Sequence, residues 1–388
     1  LINRPESGGN PIFVTMNHGK KLSPLIWIKP AWLFFVALVL HIVGYFPAII
    51  ENWYSTGIYK GISNILRAIT KWVPFSVGDV LYILFIISLI VALIRFIIQL
   101  AKGHLNRYSI LPVGLQLLGK LLSIYIIFRL LWGLNYDRLG IAYQLELSKP
   151  KYETEEVIQL TDRLIDSLNA CRSRLPDTVL PTPPVDSIFR IAGIGYSRLS
   201  DQYFFLNYTQ RSLKSSLFTP IADWLSFTGY YNPFSGEGQV RADIPRVMVP
   251  FVSCHEIGHQ LGYASESEAN FVGFLAALST NDPYFRYSAF NELFTYAQRE
   301  ELYLLALAKD SVRFETVIQQ NRNRLDTLVR KDRKEIRAFF QQRSNKISPA
   351  MNDLYERYLK ANDQDAGLRS YDEVIGLLIA YIKKHEKI

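Results

Sequence analysis

The chain has 388 residues, 49% of them hydrophobic and only 20% charged, which excludes a disordered protein. Its 22 Gly and 18 Pro follow no period, so it is not collagen-like, and two cysteines, Cys171 and Cys254, cannot staple a disulfide scaffold of this length. The formal charge of +8 is spread along the sequence without a run of five or more Lys/Arg. Nucleic acid is therefore not an expected partner, whereas an anionic lipid bilayer is.

Residues 1–30 form a leader without helical pattern at its start; Met16, followed by NHGKKL, reads as a natural beginning, and the first fifteen residues are expected to be additional to it. Residues 31–136 form a membrane region. A spanning helix needs about 20 mostly apolar residues, and three stretches supply them: 31–50, 80–100 and 110–134, the last carrying Lys120 and Arg129. The basic residues of the third span would snorkel to the interfaces; a pairing of Lys120 with Asp79 is the alternative. Between the first two spans, Tyr54–Lys71 has apolar residues at helical spacing among Trp53, Tyr54, Tyr59 and Trp72, as expected of a helix lying in the membrane interface. Lys/Arg counts in the loops nearly balance. Lys20, Lys21, Lys29 and Arg4 tip the reading to an inner-membrane protein whose C-terminal domain lies on the outer side.

Residues 137–388 read as a mainly helical domain. Helices are expected at about 153–172, 200–227, 247–261, 265–280, 286–309, 311–343, 348–361 and 370–386, with short strands near 187–194 and 236–242. The Gly/Pro/Asn-rich stretch 228–245 should be irregular.

One motif carries chemistry: His255-Glu256-Ile257-Gly258-His259. Residues four apart on a helix share a face, so both imidazoles can reach one ion. Zinc accepts neutral imidazole nitrogen and prefers tetrahedral surroundings. Glu256, beside the first histidine, is placed to take a proton from a metal-bound water as general base. Pro250 suits a first turn and Gly262 a helix C-cap. A third ligand is needed. Glu268, on the next helix, is the first candidate, though Ser265-x-x-Glu268 also reads as a capping box; Glu266 and the more distant Glu292 are its rivals.

HEIGHQLGY followed by ESEANFVGFLA resembles the metal-binding core of the gluzincin superfamily, and of ImmA/IrrE-type peptidases in particular, in which the Glu before Ala-Asn or Ala-Asp is the third ligand. That resemblance implies a zincin-like fold for residues 137–388 and makes Glu268 the ligand beside His255 and His259. Over nearly the whole chain the sequence is similar to a family of bacterial three-span membrane proteins of unknown function. Residues 74–79, 132–136, 229–234, the HExxH–EAN core, Tyr358-Leu359-Lys360 and Ser370-Tyr371 carry that likeness.

The expected function is zinc-dependent hydrolysis of a peptide bond in a peptide or protein substrate by a membrane-anchored metallopeptidase. The alternatives are a catalytically silent, zinc-binding regulatory module, for which a preserved Glu256 has no use, and a transporter subunit, for which three spans with few charges are poor material. Tyr230, Tyr231, Tyr287 and Arg241 are candidates for steadying an oxyanion. The 236–242 strand is a candidate edge for an extended peptide. Cys254 is expected in the core, and the charge run 322–337 on a solvated helix face.

Overall fold

The computed structural model describes residues 25–102, 107–148, 152–177, 179–362, 364 and 373–386. The leader through residue 24, including Met16, and the Ser370-Tyr371 pair lie outside the described residues. The fold is mainly helical, with long apolar helices at its N-terminal end and a sheet of three short strands.

Three helices are long and apolar enough to cross a membrane, and they suggest a membrane protein: α1 (Leu25–Gly44), then, after an intervening amphipathic helix, α3 (Val77–Ala101) and α4 (Arg107–Leu131). Each begins several residues before the apolar run itself. In α3 the reason is local: Ser76 caps the helix by accepting from Asp79 N at 3.1 Å. α1 packs on α4, while residues 83–98 of α3 are exposed throughout. All three meet the rest of the protein at one end. Arg129 near the end of α4 pairs with Asp137 and reaches Gly133 O at 2.9 Å. The start of α3 is held by Glu237, whose carboxylate accepts from Gly78 N at 2.6 Å and Val77 N at 3.3 Å, an anion on the positive end of a helix dipole. Asp79 does not pair with Lys120; it accepts from Tyr230 Oη at 2.6 Å and Leu217 N at 2.7 Å.

After α1 the chain turns at Pro47 into a π-helix, Ile50–Ile58, that runs on as α2 (Tyr59–Thr70). A helix forms where an interfacial one was expected, and its polar side faces protein. Tyr59, Ser63, Arg67 and Thr70 are buried, while Ile58, Ile65 and Ile69 are exposed. A small core of Ile50, Tyr54, Tyr59, Trp132, Leu134 and Ala264 knits this segment to the end of α4 and to the C-terminal domain.

The main core is assembled from α5 (Thr154–Arg172), α6 (Val185–Leu199), α7 (Val249–Gln260), α8 (Glu266–Ser279), α9 (Pro283–Leu307) and α13 (Val374–His385). Helices α10 (Ser311–Arg324) and α11 (Thr327–Gln342) replace the single helix expected over 311–343, because Asp326 caps a new start by accepting from Leu328 N at 2.9 Å. The 187–194 stretch is not a strand: Ile188, Ala192, Tyr196 and Leu199 are buried at helical spacing within α6. The helix expected over 200–227 breaks into turns, the strand β1 (Leu213–Ser215) and a one-turn helix at Ala222–Leu225, since Asn207 and Pro220 interrupt it. Two strands, β2 (Gly229–Asn232) and β3 (Glu237–Val240), form a hairpin inside the stretch expected to be irregular. The sheet order is β1-β3-β2, with β1 parallel and β2 antiparallel to β3. The 236–242 strand is thus central, and the edges are β1 and β2. Helix α12 (Ser348–Ala361) completes the described elements beside the site.

Candidate metal centre

Helix α7 carries His255, Glu256 and His259, and every one of its residues is buried. Its end is a Schellman turn: Gly262 N donates to His259 O at 2.8 Å and Tyr263 N to Gly258 O at 3.2 Å. Gly262 has φ +92°, and a side chain there would meet the Tyr59 ring at 2.9 Å. The turn swings the chain straight into α8, which packs back over α7 where Gly258 and Gly273 allow close approach; Gly273 lies 3.0 Å from His255 N, measured from where a Cβ would stand.

This packing sets Glu266, the first residue of α8, between the imidazoles. Its Oε2 lies 3.2 Å from His255 Nε2 and 3.5 Å from His259 Nε2. Among the described residues these three form the one group of three His/Cys/Asp/Glu side chains whose ligand atoms all fall within 4.8 Å of one another. A tetrahedral zinc site with bonds of about 2.0–2.1 Å has edges of about 3.4 Å between ligand atoms, so the separations match such a cage.

The far side of each imidazole is fixed. His259 Nδ1 faces Tyr263 O at 2.7 Å; a carbonyl only accepts, so this nitrogen carries a proton and Nε2 is the nitrogen turned toward Glu266. His255 Nδ1 faces Asn270 Oδ1 at 2.8 Å in the same sense. Asn270 stands four residues after Glu266, on the same face of α8. Imidazoles that hold metal are usually oriented in this way. Two further signs fit a cation: Oε2 of Glu256 and Oε2 of Glu266 are buried and accept no hydrogen bond. A divalent ion would satisfy that excess of acceptor charge.

The electrostatics reflect the crowding. Burial pushes the Glu256 carboxyl up to about 8, against the opposing pull of His259. Burial would also raise Glu266, but the His259 charge and the contacts to both imidazoles win and hold it well below the usual carboxylate range. The same carboxylate overcomes the burial of His259 and raises it to about 9.

Glu268, expected to be the third ligand, does not lie with the two histidines; Glu266 is the carboxylate that does. Two residues along a helix is a rotation of about 200°, so only one of the pair can face the histidines. Glu268 accepts from Ile141 N at 2.6 Å and lies against Gly140. Burial raises its carboxyl, partly offset by Arg138. The capping box is not formed, since Ser265 Oγ pairs with Ser267 Oγ at 2.9 Å. Glu292 belongs to the Arg299 and Arg333 surroundings instead.

Glu256 sits under the sheet. A Cβ on Gly229 would stand 2.4 Å from Glu256 Oε1, and one on Gly238 3.0 Å from Glu256 Cβ, so glycines are what let β2 and β3 lie against the carboxylate. The proposed oxyanion candidates are engaged: Tyr230 with Asp79, Tyr287 with Asp332 at 2.7 Å, and Arg241 with Asp223 and Asp243. Tyr231 accepts from Tyr59 Oη at 3.2 Å. The tyrosines that reach the centre were not anticipated. Tyr355 of α12 donates to Glu266 Oε1 at 2.7 Å, and Tyr358 stacks on Tyr355 and bonds Tyr136 Oη at 3.0 Å. Cys254 is fully buried, as expected.

Residues 54–379 match the family model described as "Protein of unknown function (DUF3810)". The chain belongs to that family. The match starts in the π-helix and takes in α2, α3, α4 and the His255–His259–Glu266 cluster, so α2 and the motif helix fall within one family unit. No curated protein and no solved structure matches the chain.

Proposed function

We propose that this DUF3810 protein is a membrane-anchored, zinc-dependent metallopeptidase of zincin-like, gluzincin type. The observation that carries the reading is the cage: one carboxylate oxygen at tetrahedral-edge separations from two Nε2 atoms, both imidazoles oriented from behind, and a second buried carboxylate alongside, Glu256, whose Oε2 accepts no hydrogen bond. His255, His259 and Glu266 would hold the ion, Glu266 standing two residues before the ligand that ImmA/IrrE-type sites would suggest. When bound, zinc polarises a carbonyl and makes a coordinated water acidic.

The chain's own residues supply the rest. Glu256 is the group placed to accept a proton and return it to the leaving amine, and its burial keeps its affinity for the proton near neutrality, where a general base works best. β2, an edge strand passing over Glu256 at Gly229, offers backbone groups with which an extended peptide can pair. Tyr355 donates to Glu266 Oε1, so its hydroxyl, although engaged in the resting structure, is the one beside the cage that would turn to developing negative charge.

The test uses the purified full chain. Wild type and Glu256→Gln are expected to bind about one zinc per chain, with peptide cleavage only in wild type. Equal cleavage by both proteins would remove this site from the chemistry. Undiminished zinc in His259→Ala would remove the cage.

A further inference from the structure

We infer that the substrate is a polypeptide held in or on the bilayer and cut close to where it leaves the lipid; this rests on the metallopeptidase reading. Three observations place the metal centre at the membrane surface. First, the membrane-side segment forms part of the site. Tyr59 Oη lies 3.4 Å from His259 O and 3.3 Å from Gln260 O, Ser63 Oγ donates to Gln260 O at 2.8 Å, and Arg67 reaches the same carbonyl at 3.4 Å. These side chains of α2 occupy the carbonyls at the end of the motif helix. Second, the opposite face of α2 is apolar and open: Ile58, Ile65 and Ile69 are exposed, flanked by Trp53 (73% exposed) and Trp72 (80%). A helix that buries Ser and Arg while exposing isoleucines has the reverse of a water-facing pattern. In sequence it lies between the apolar helices α1 and α3, and its flanking tryptophans suit the headgroup level. The bilayer is the occupant that this face fits. Third, the His259 ring meets the edge of Trp132, centroids 6.0 Å apart, and Trp132 follows directly on the last residue of α4.

The distance follows from helix thickness. With side chains, a helix is about 10–12 Å across, so the centre stands roughly that far above the lipid-facing isoleucines. An extended chain covers about 3.3–3.6 Å per residue. A scissile bond about three to four residues from the bilayer therefore reaches Glu256 without unfolding either partner, whereas a bond held far from the surface gains nothing from the location.

The test reconstitutes the full chain in phosphatidylethanolamine/phosphatidylglycerol vesicles. A randomised cassette is carried on a synthetic transmembrane helix, either about 5 or about 30 residues from its end, with the same cassette also supplied as a soluble peptide. Cut positions are read by mass spectrometry, and capture of each cassette by Glu256→Gln is read without turnover. The near cassette is expected to be captured and cut at least tenfold better than the far one, although both have the same surface concentration. Equal handling of near and far cassettes, or preference for the soluble peptide, overturns the inference and leaves the hydrolase reading standing. A nitroxide on Ile65→Cys, exposed and outside the catalytic group, gives a readout independent of activity. It is expected to collide with oxygen in the lipid more than with an aqueous nickel complex, and the reverse overturns the placement. No cutting in any format, together with no bound zinc, refutes the metallopeptidase reading, and this inference with it.

Discussion

Replacing Glu266 and Glu268 separately by Gln distinguishes the two acidic residues on α8. Glu266 Oε2 stands 3.2 and 3.5 Å from the two Nε2 atoms, so Glu266→Gln swaps the only anionic member of the cage for a neutral amide. Loss of an orienting group behind a ligand costs about 10–100-fold in metal affinity; Asn270→Ala, which frees His255 Nδ1, should fall in that range. Removing a ligand's charge should exceed it, weakening zinc by more than about 100-fold, or about 2.7 kcal/mol. Glu268→Gln keeps an oxygen for Ile141 N and touches neither imidazole, so affinity should stay within about twofold. Competition between the full-length protein and a fluorescent zinc chelator measures all three. A Glu268→Gln protein that loses zinc while Glu266→Gln retains it would refute the assignment.

Gly229→Ala should lower peptide cleavage by more than about tenfold with zinc content unchanged, since its methyl would stand 2.4 Å from Glu256 Oε1 and displace the base but no ligand; zinc loss in parallel would contradict this. Glu51 accepts from Arg138, Gly140 N and Gln144, and Arg138 donates onward to Gly262 O at 2.9 Å, which links the π-helix to the turn after the motif helix. Glu51→Ala leaves a buried guanidinium unpaired and should cost about 3–5 kcal/mol, read as a lower unfolding midpoint. Burial pushes the Glu301 carboxyl up to about 7, partly opposed by Asn321. A carboxyl raised on folding binds its proton more tightly in the native state, so its contribution is full at acid pH below its ordinary value and is lost as pH rises through about 7. Glu301→Gln, neutral throughout, should raise the midpoint by about 2–4 °C at pH 8 and leave it unchanged at pH 4.5.

The sequence made the spans and the motif helix legible because both are local patterns: apolar length for α1, α3 and α4, and the four-residue histidine spacing for α7. Gly262 was readable as a helix stop for the same reason. The third ligand was less accessible, because Glu266 and Glu268 lie on opposite faces of one helix and only the angle at which α8 folds back over α7 selects between them. Asn270 left a usable signal, four residues beyond Glu266 and on its face. Tyr355 left none, since it approaches the centre from about 90 residues away in sequence, and Tyr358 stood out only within the stretch that carries the family likeness. β1 and β2 were hidden by their length, whereas β3 lies within the strand expected near 236–242. β2 and β3 span four residues each, and the glycines that marked the stretch as irregular are what allow it to lie on Glu256. That the polar face of α2 is buried against protein was not legible either, since it follows from docking on the distant Gln260 carbonyl.

The most direct measurement is X-ray absorption at the zinc edge on the full-length protein as isolated, combined with metal content. The account predicts about one zinc per chain, bound by nitrogen and oxygen at about 2.0–2.1 Å with two imidazoles in the shell. A sulfur shell at about 2.3 Å, which would bring in a cysteine such as Cys254, or a protein that takes up no zinc, would contradict it.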